Sequence, residues 1–262
     1  MNEPSSTHSI TRSPSTYLRL LLIAVGVTLG IIFLRQPNAD IVQFLNDQAR
    51  NLTVLYAILV GFIAAEVLSR RRKMDEHIAL ELNKVRRMYH LSLHLAKANP
   101  SLQTWFGQIK ESIKLYLQSF EKRKFLEYEK GNPLFRTITY TIYSLPLEKM
   151  KCGNDMFASL LSAVASATEA REYIRQTLYQ QYVGKFAWMT LLLVSITFGS
   201  FIILSTPEDA PHRFAAGIIV FNLFLVLQLI YEYGRINKIK SRAYNKLYRQ
   251  DLISLGLNGN KE

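Results

Sequence analysis

Four stretches of the chain are apolar almost without interruption, and a long segment between the second and third repeats its apolar residues every three or four positions. The continuous stretches are Leu18–Leu34, Leu52–Leu68, Phe186–Leu204 and Phe214–Tyr231, of 17 to 19 residues, within the range of about 17–25 that a helix needs to cross hydrocarbon. They predict four transmembrane helices in two hairpins. The third and fourth contain no formal charge, the first has Arg19 near its polar end, and the second contains Glu66. Within the long segment, Ile78, Leu82, Val85 and Tyr89 place one stripe on a helix that runs to Ala96 and is stopped by Asn99-Pro100. Leu102, Phe106, Ile109, Ile113, Tyr116 and Phe120 repeat the pattern, and Lys130-Gly131-Asn132-Pro133 reads as a turn. Leu134–Lys149 holds a β-branched, aromatic run that would suit a strand, yet it stands alone in a helical chain and is taken as helix. After Cys152-Gly153-Asn154 a helical pattern through Leu160, Val164, Ala167, Ile174 and Tyr182 is expected to run to Gly184 and into the third apolar stretch.

Residues 1–16, rich in Ser, Thr and Pro, have little to bury and are read as a disordered tail. Ile41, Val42, Phe44 and Leu45 suggest a short interfacial helix between the first two spans, and Tyr231–Leu255 is read as an outward continuation of the fourth. The expected organisation is an all-α membrane protein: tail 1–16, hairpin 17–69, helical insert 70–185, hairpin 186–231, and a basic helix and tail 232–262. Gly26 and Gly30 stand four apart, a spacing that allows close helix approach and that also arises by chance.

Mean hydropathy near zero would suit a soluble protein, but the clustering of the apolar residues overrides the average. Charge then orients the spans. Arg70, Arg71, Arg72 and Lys73 follow the second stretch, Arg171, Arg175 and Lys185 precede the third, and six Lys or Arg between Arg235 and Arg249 follow the fourth, whereas both short hairpin loops are near neutral. The positive-inside rule places the insert and both termini in the cytoplasm of a multi-pass protein. Cations facing lipid headgroups account for most of the net +12 without nucleic acid. The apolar run after Arg12 and Arg19 is long for a signal peptide, and LRQPNAD offers no small-x-small cleavage site.

Little in the chain points to catalysis. There is one cysteine, Cys152, and no P-loop, dinucleotide fingerprint or GxSxG. His90 and His94 share a helix face without a third ligand, and Glu66, Glu81 and Glu169 have no evident partner for acid–base work. The sequence therefore predicts neither an enzyme nor a cofactor. Glu66 has two readings: an i,i+4 pair with Arg70 at the headgroup boundary, or a carboxylate facing water in a pore.

Two spans, a long helical insert, two spans and a tail is the layout that bestrophin channels and bacterial bestrophin-like proteins share, and LVGFIAAEVLSRRR (59–72) resembles the family's Leu-Gly-Phe stretch followed by Arg. The resemblance implies a homo-oligomer, a pentamer in that family, whose second span lines a pore. Matching Gly61-Phe62 to the family pattern puts the apolar neck at Val54, Ile58 and Phe62 and the pore mouth at Glu66, Arg70 and Arg71. Residues four apart share a helix face, and rings of apolar side chains can gate by dewetting. The acidic calcium-binding run that animal bestrophins carry after the last span is not matched, since GRINKIKSRAYNKLYRQDL has Asp251 as its only carboxylate. The expected function is an ion channel of a bacterial inner membrane, with lipids and inorganic ions as partners and its ion preference open. The alternative is a non-conducting scaffold or sensor whose helical insert binds a partner protein.

Overall fold

A computed structural model describes residues 14–34, 39–122, 125–179, 185–234 and 238–257. Among these there is no strand, and the elements in order are α1 (Pro14–Phe33), α2 (Ala39–Ala98), α3 (Gln103–Lys122), α4 (Asn132–Tyr143), α5 (Asn154–Tyr179), α6 (Lys185–Ser205), α7 (Ala210–Tyr233) and α8 (Lys238–Ser254). Short 3₁₀ turns occupy Pro100–Leu102, Phe125–Gly131 and Leu147–Lys149. The ambiguous 134–149 stretch is helical through Tyr143, with Pro133 in the first turn of α4, where its missing N–H costs nothing.

Two expected boundaries differ. The interfacial helix and the second span are one continuous 60-residue helix, α2, because its polar Asn46–Thr53 stretch contains neither Pro nor Gly to interrupt the backbone ladder. The fourth span does not continue outward as one helix: α7 stops at Tyr233 and Gly234 is a turn, glycine being the weakest helix former after proline. The expected run of α5 into α6 crosses residues 180–184, and residues 1–13 of the expected disordered tail 1–16 also lie outside the described residues; the last three of that tail, 14–16, are instead the start of α1.

The chain forms two compact units: 1–65 with 183–231, and 66–182 with 232–262. In the first, α2, α6 and α7 each contain a stretch long and apolar enough to cross a membrane, whereas the apolar helix Leu18–Phe33 is shorter. The whole of α1 has 20 residues and at 1.5 Å per residue reaches about 30 Å, the thickness of a hydrocarbon core. This unit is held by Val27, Ile203 and Val220, joined by Ile23, Ile31 and Phe224. Gly30 of the GxxxG pair meets Ile203 of α6, while nothing lies near Gly26. A Cβ at Gly217 would stand 2.5 Å from Ile31 Cδ1, the tip of a side chain that would have to turn aside where α7 meets α1. Arg213 Nη1 donates to the Ile31 carbonyl at 2.7 Å and satisfies the C-terminal end of α1.

The second unit is a polar-surfaced helical body. Asn99 ends α2 as its position before proline suggests, and its buried amide then ties that end to the loop before α5: Nδ2 donates to the carbonyls of Leu95 and Cys152, and Oδ1 accepts from the Lys151 N–H. Gly153 has φ +104°, so the backbone requires glycine, and a Cβ there would also push on the tip of Leu95, 2.7 Å away. The core is aromatic. Phe120 stacks on Tyr248 of α8 at 3.9 Å, and Phe125 lies 4.7 Å from Tyr244.

Candidate functional site

In the apolar unit, α2 packs on α6 through Tyr56, which stacks on Phe198 at 5.0 Å and hydrogen-bonds Ser195 Oγ at 3.0 Å. Val60, one turn on, is buried on the same side. Val54, Ile58 and Phe62 are offset by two residues from Tyr56 and Val60, about 200° around a helix that turns roughly 100° per residue. They therefore point away from α6, and within the single chain Val54 is 58% exposed, Ile58 59% and Phe62 78%. Phe62 is left mostly uncovered by the described residues of its own chain.

In the polar unit, Glu66 pairs with Arg70 Nε at 2.5 Å, the i,i+4 contact that the spacing allows. Arg71 takes a different partner, its guanidinium lying 4.8 Å from the centre of the Tyr233 ring. Lys240 also sits over that ring, at 5.5 Å, and donates to the carbonyls of Glu232 and Tyr233 at the end of α7. Burial, with the nearby charge of Arg71, lowers the Lys240 pKa to about 8. Glu66 and Arg70 line a hollow of about 210 Å³ together with Ser69, Lys73, Tyr173 and Gln176. The three expected mouth residues thus divide into an ion pair and a cation on an aromatic ring.

Sequence reasoning missed the most strongly built constellation. Glu81, read as a carboxylate without an evident partner, is 0% exposed and saturated with donors. Its Oε1 accepts from the Tyr116 hydroxyl and from Arg171 Nη1 at 3.1 Å, and its Oε2 accepts from Tyr128 at 2.5 Å and Tyr248 at 2.8 Å. Four donors use the roughly four lone-pair sites of a carboxylate, so the charge is fully hydrogen-bonded. Arg171, itself 4% exposed, donates through Nη2 to Asn132 Oδ1 at 3.0 Å and lies within 4.6–5.0 Å of the rings of Tyr128, Phe135 and Tyr116. Burial raises all three phenols well above the ordinary tyrosine range, and the Glu81 charge adds to it. One carboxylate thereby joins α2, α3, α5, α8 and the 3₁₀ turn before α4. The available signal was positional: Glu81 lies three residues after Ile78 and four before Val85, and Arg171 lies between Ala167 and Ile174, so each puts a charge inside an apolar stripe.

His90 and His94 are exposed, and no group of three or more His, Cys, Asp or Glu among the described residues is arranged to hold a metal ion. The arrangement offers a fixed buried charge network and an apolar helix face. Neither contains a nucleophile paired with a base.

Comparison with curated proteins by sequence gives no significant match. Comparison of folds does. The chain is similar to a solved structure described as a membrane protein (a point mutant), with 14% identity, TM-score 0.67 and coverage of 93% of this chain and 99% of that one. It is also similar to point mutants of a bacterial bestrophin homologue from Klebsiella pneumoniae, one at 13% identity and TM-score 0.67 over 92% and 99% of the two chains, another at 14% and 0.64 over 92% and 98%. At such identities the likeness establishes the fold. The profile of the Bestrophin-like domain matches residues 20–243, which takes in the apolar face of α2, the Glu66–Arg70 pair and every member of the buried Glu81 network except Tyr248, and the chain therefore belongs to the Bestrophin-like family.

Proposed function

We propose that this protein is a homo-oligomeric ion channel, assembled as a pentamer in a bacterial inner membrane with both termini and the polar unit in the cytoplasm, and that α2 surrounds the conducting axis. The observation that carries this reading is the orientation of Val54, Ile58 and Phe62, turned away from α6 and uncovered by their own chain. Copies around an axis would convert that stripe into three stacked apolar rings, a constriction that gates by dewetting. Membership of the Bestrophin-like family, which shares the layout of bestrophin channels, supports the assignment.

Glu66, Arg70 and Arg71 form the cytoplasmic mouth. Arg70 holds the Glu66 carboxylate at 2.5 Å and cancels the one negative charge that would have favoured cations, leaving Arg71 and the exposed Arg72 and Lys73 beside it. The mouth therefore selects anions. Purified protein in liposomes is expected to pass chloride, with Phe62→Ala increasing the flux. Absence of chloride flux, together with a monomeric or dimeric mass in mild detergent, would instead support a non-conducting scaffold.

A further inference from the structure

In the polar unit a hollow of about 270 Å³ lies between α4 and α5. Asn132, Arg136 and Tyr140 line it from α4, and Arg171, Glu172 and Arg175 from α5. Three arginines against one glutamate make the lining cationic, but the three differ in availability. Arg171 is held by Glu81 and Asn132. Arg175 pairs with Glu172 at 2.7 Å and Glu129 at 3.6 Å. Arg136 is exposed and has no ion-pair partner among the described residues.

Asn132 supplies the second feature. Its Oδ1 accepts from the Arg171 guanidinium at 3.0 Å, and the reverse orientation would set an NH₂ against a cation, so the network fixes the amide. Both N–H donors of Nδ2 then remain for another acceptor. A guanidinium without a carboxylate, next to an amide whose oxygen is already committed, is a donor set for an oxyanion. Tyr140, 68% exposed, adds an aromatic wall. The volume falls just under the roughly 300–1,000 Å³ of pockets for drug-sized ligands, which restricts the occupant to a small molecule.

We propose that this hollow binds a small organic oxyanion, a carboxylate or phosphate monoester with a flat apolar body, held by Arg136 and the Asn132 amide with its body against Tyr140. Nothing in this assignment depends on conduction. Such a ligand would bridge α4 and α5 directly beside the buried Glu81–Arg171 pair, so its binding would stiffen the helices that the network joins.

The test is calorimetric titration of the purified full-length protein in mild detergent with benzoate, phenyl phosphate and inorganic phosphate. One of the two aromatic probes should bind saturably, one per chain and more tightly than inorganic phosphate, and whichever binds better identifies the acid group. Arg136→Gln should weaken it by roughly ten- to a hundredfold, the loss of one charge-assisted hydrogen bond. Tyr140→Ala should remove the advantage of the ring. Arg249→Gln, at a surface arginine paired elsewhere with Glu121, should bind as the parent does. No saturable binding of any probe, or undiminished binding by a folded Arg136→Gln variant, overturns the proposal.

Discussion

Replacing Arg171 by methionine tests whether the Glu81 cluster holds the polar unit together. Arg171→Met keeps an unbranched side chain of comparable reach and removes the guanidinium that donates to Glu81 at 3.1 Å and to Asn132 at 3.0 Å. Glu81 then keeps three phenol donors but has no countercharge at 0% exposure, and breaking a buried pair from one side costs about 3–5 kcal/mol. Glu81→Gln strands the opposite charge and should cost a similar amount. The double variant removes both charges, so its cost should fall short of the sum of the single costs by about 1–3 kcal/mol, the coupling expected of directly contacting groups. Denaturant titration in mild detergent, followed through Trp105, reads this difference, because that ring is buried in α3 and its Nε1 donates to the Thr141 carbonyl at 2.7 Å. A cost below about 1 kcal/mol for Arg171→Met, or strict additivity in the double variant, would refute the assignment of the cluster as the keystone of this unit.

Tyr248→Phe removes one hydrogen bond to a carboxylate and should cost about 1.5–3 kcal/mol, seen as faster hydrogen exchange in α8, with α3 much less affected. Raised phenol pKa values in the folded protein give a stabilisation that is fully present below the unfolded value of about 10 and is lost as pH rises beyond it. Alkaline titration by absorbance should therefore find three of the 14 tyrosines, namely Tyr116, Tyr128 and Tyr248, un-ionised until the polar unit unfolds. Lys240 has the opposite sign: a folded pKa of about 8 makes its contribution most favourable above the unfolded value of about 10.4 and progressively lost as pH falls through 8. Arg71→Gln should move that pKa upward, measured as a shift in the pH dependence of amine labelling at Lys240. Gly217→Ala forces the tip of the Ile31 side chain, 2.5 Å from the new methyl, to turn aside and should cost about 1 kcal/mol in detergent stability, the low end of overpacking.

The parts of the fold that the sequence made legible are those governed by periodicity and punctuation. Asn99-Pro100 ends α2, Gly153 turns the chain before α5, and 134–143 is helical despite strand-like residues because no partner strand exists among the described residues. Less visible was the continuity of α2 across Asn46–Thr53, since polar residues mark a surface without breaking a helix. The Glu66–Arg70 pair followed from its spacing alone. Arg71 on Tyr233 joins residues 162 positions apart, and no local pattern encodes such a contact. Glu81 was hidden for the same reason: its donors at 116, 128, 171 and 248 converge only after five elements have packed. A charge inside an apolar stripe announces a buried partner without naming it.

Substituted-cysteine labelling tests the central claim most directly. Cys152 is the single native cysteine and is exposed, so Phe62→Cys is made in a Cys152→Ser background and treated, in chloride-conducting liposomes, with a membrane-impermeant anionic thiol reagent. If copies of α2 surround a water-accessible axis, the introduced thiol reacts and the flux changes in step with labelling. A thiol that stays inert while the protein is folded and conducting would place Phe62 against lipid and contradict the account.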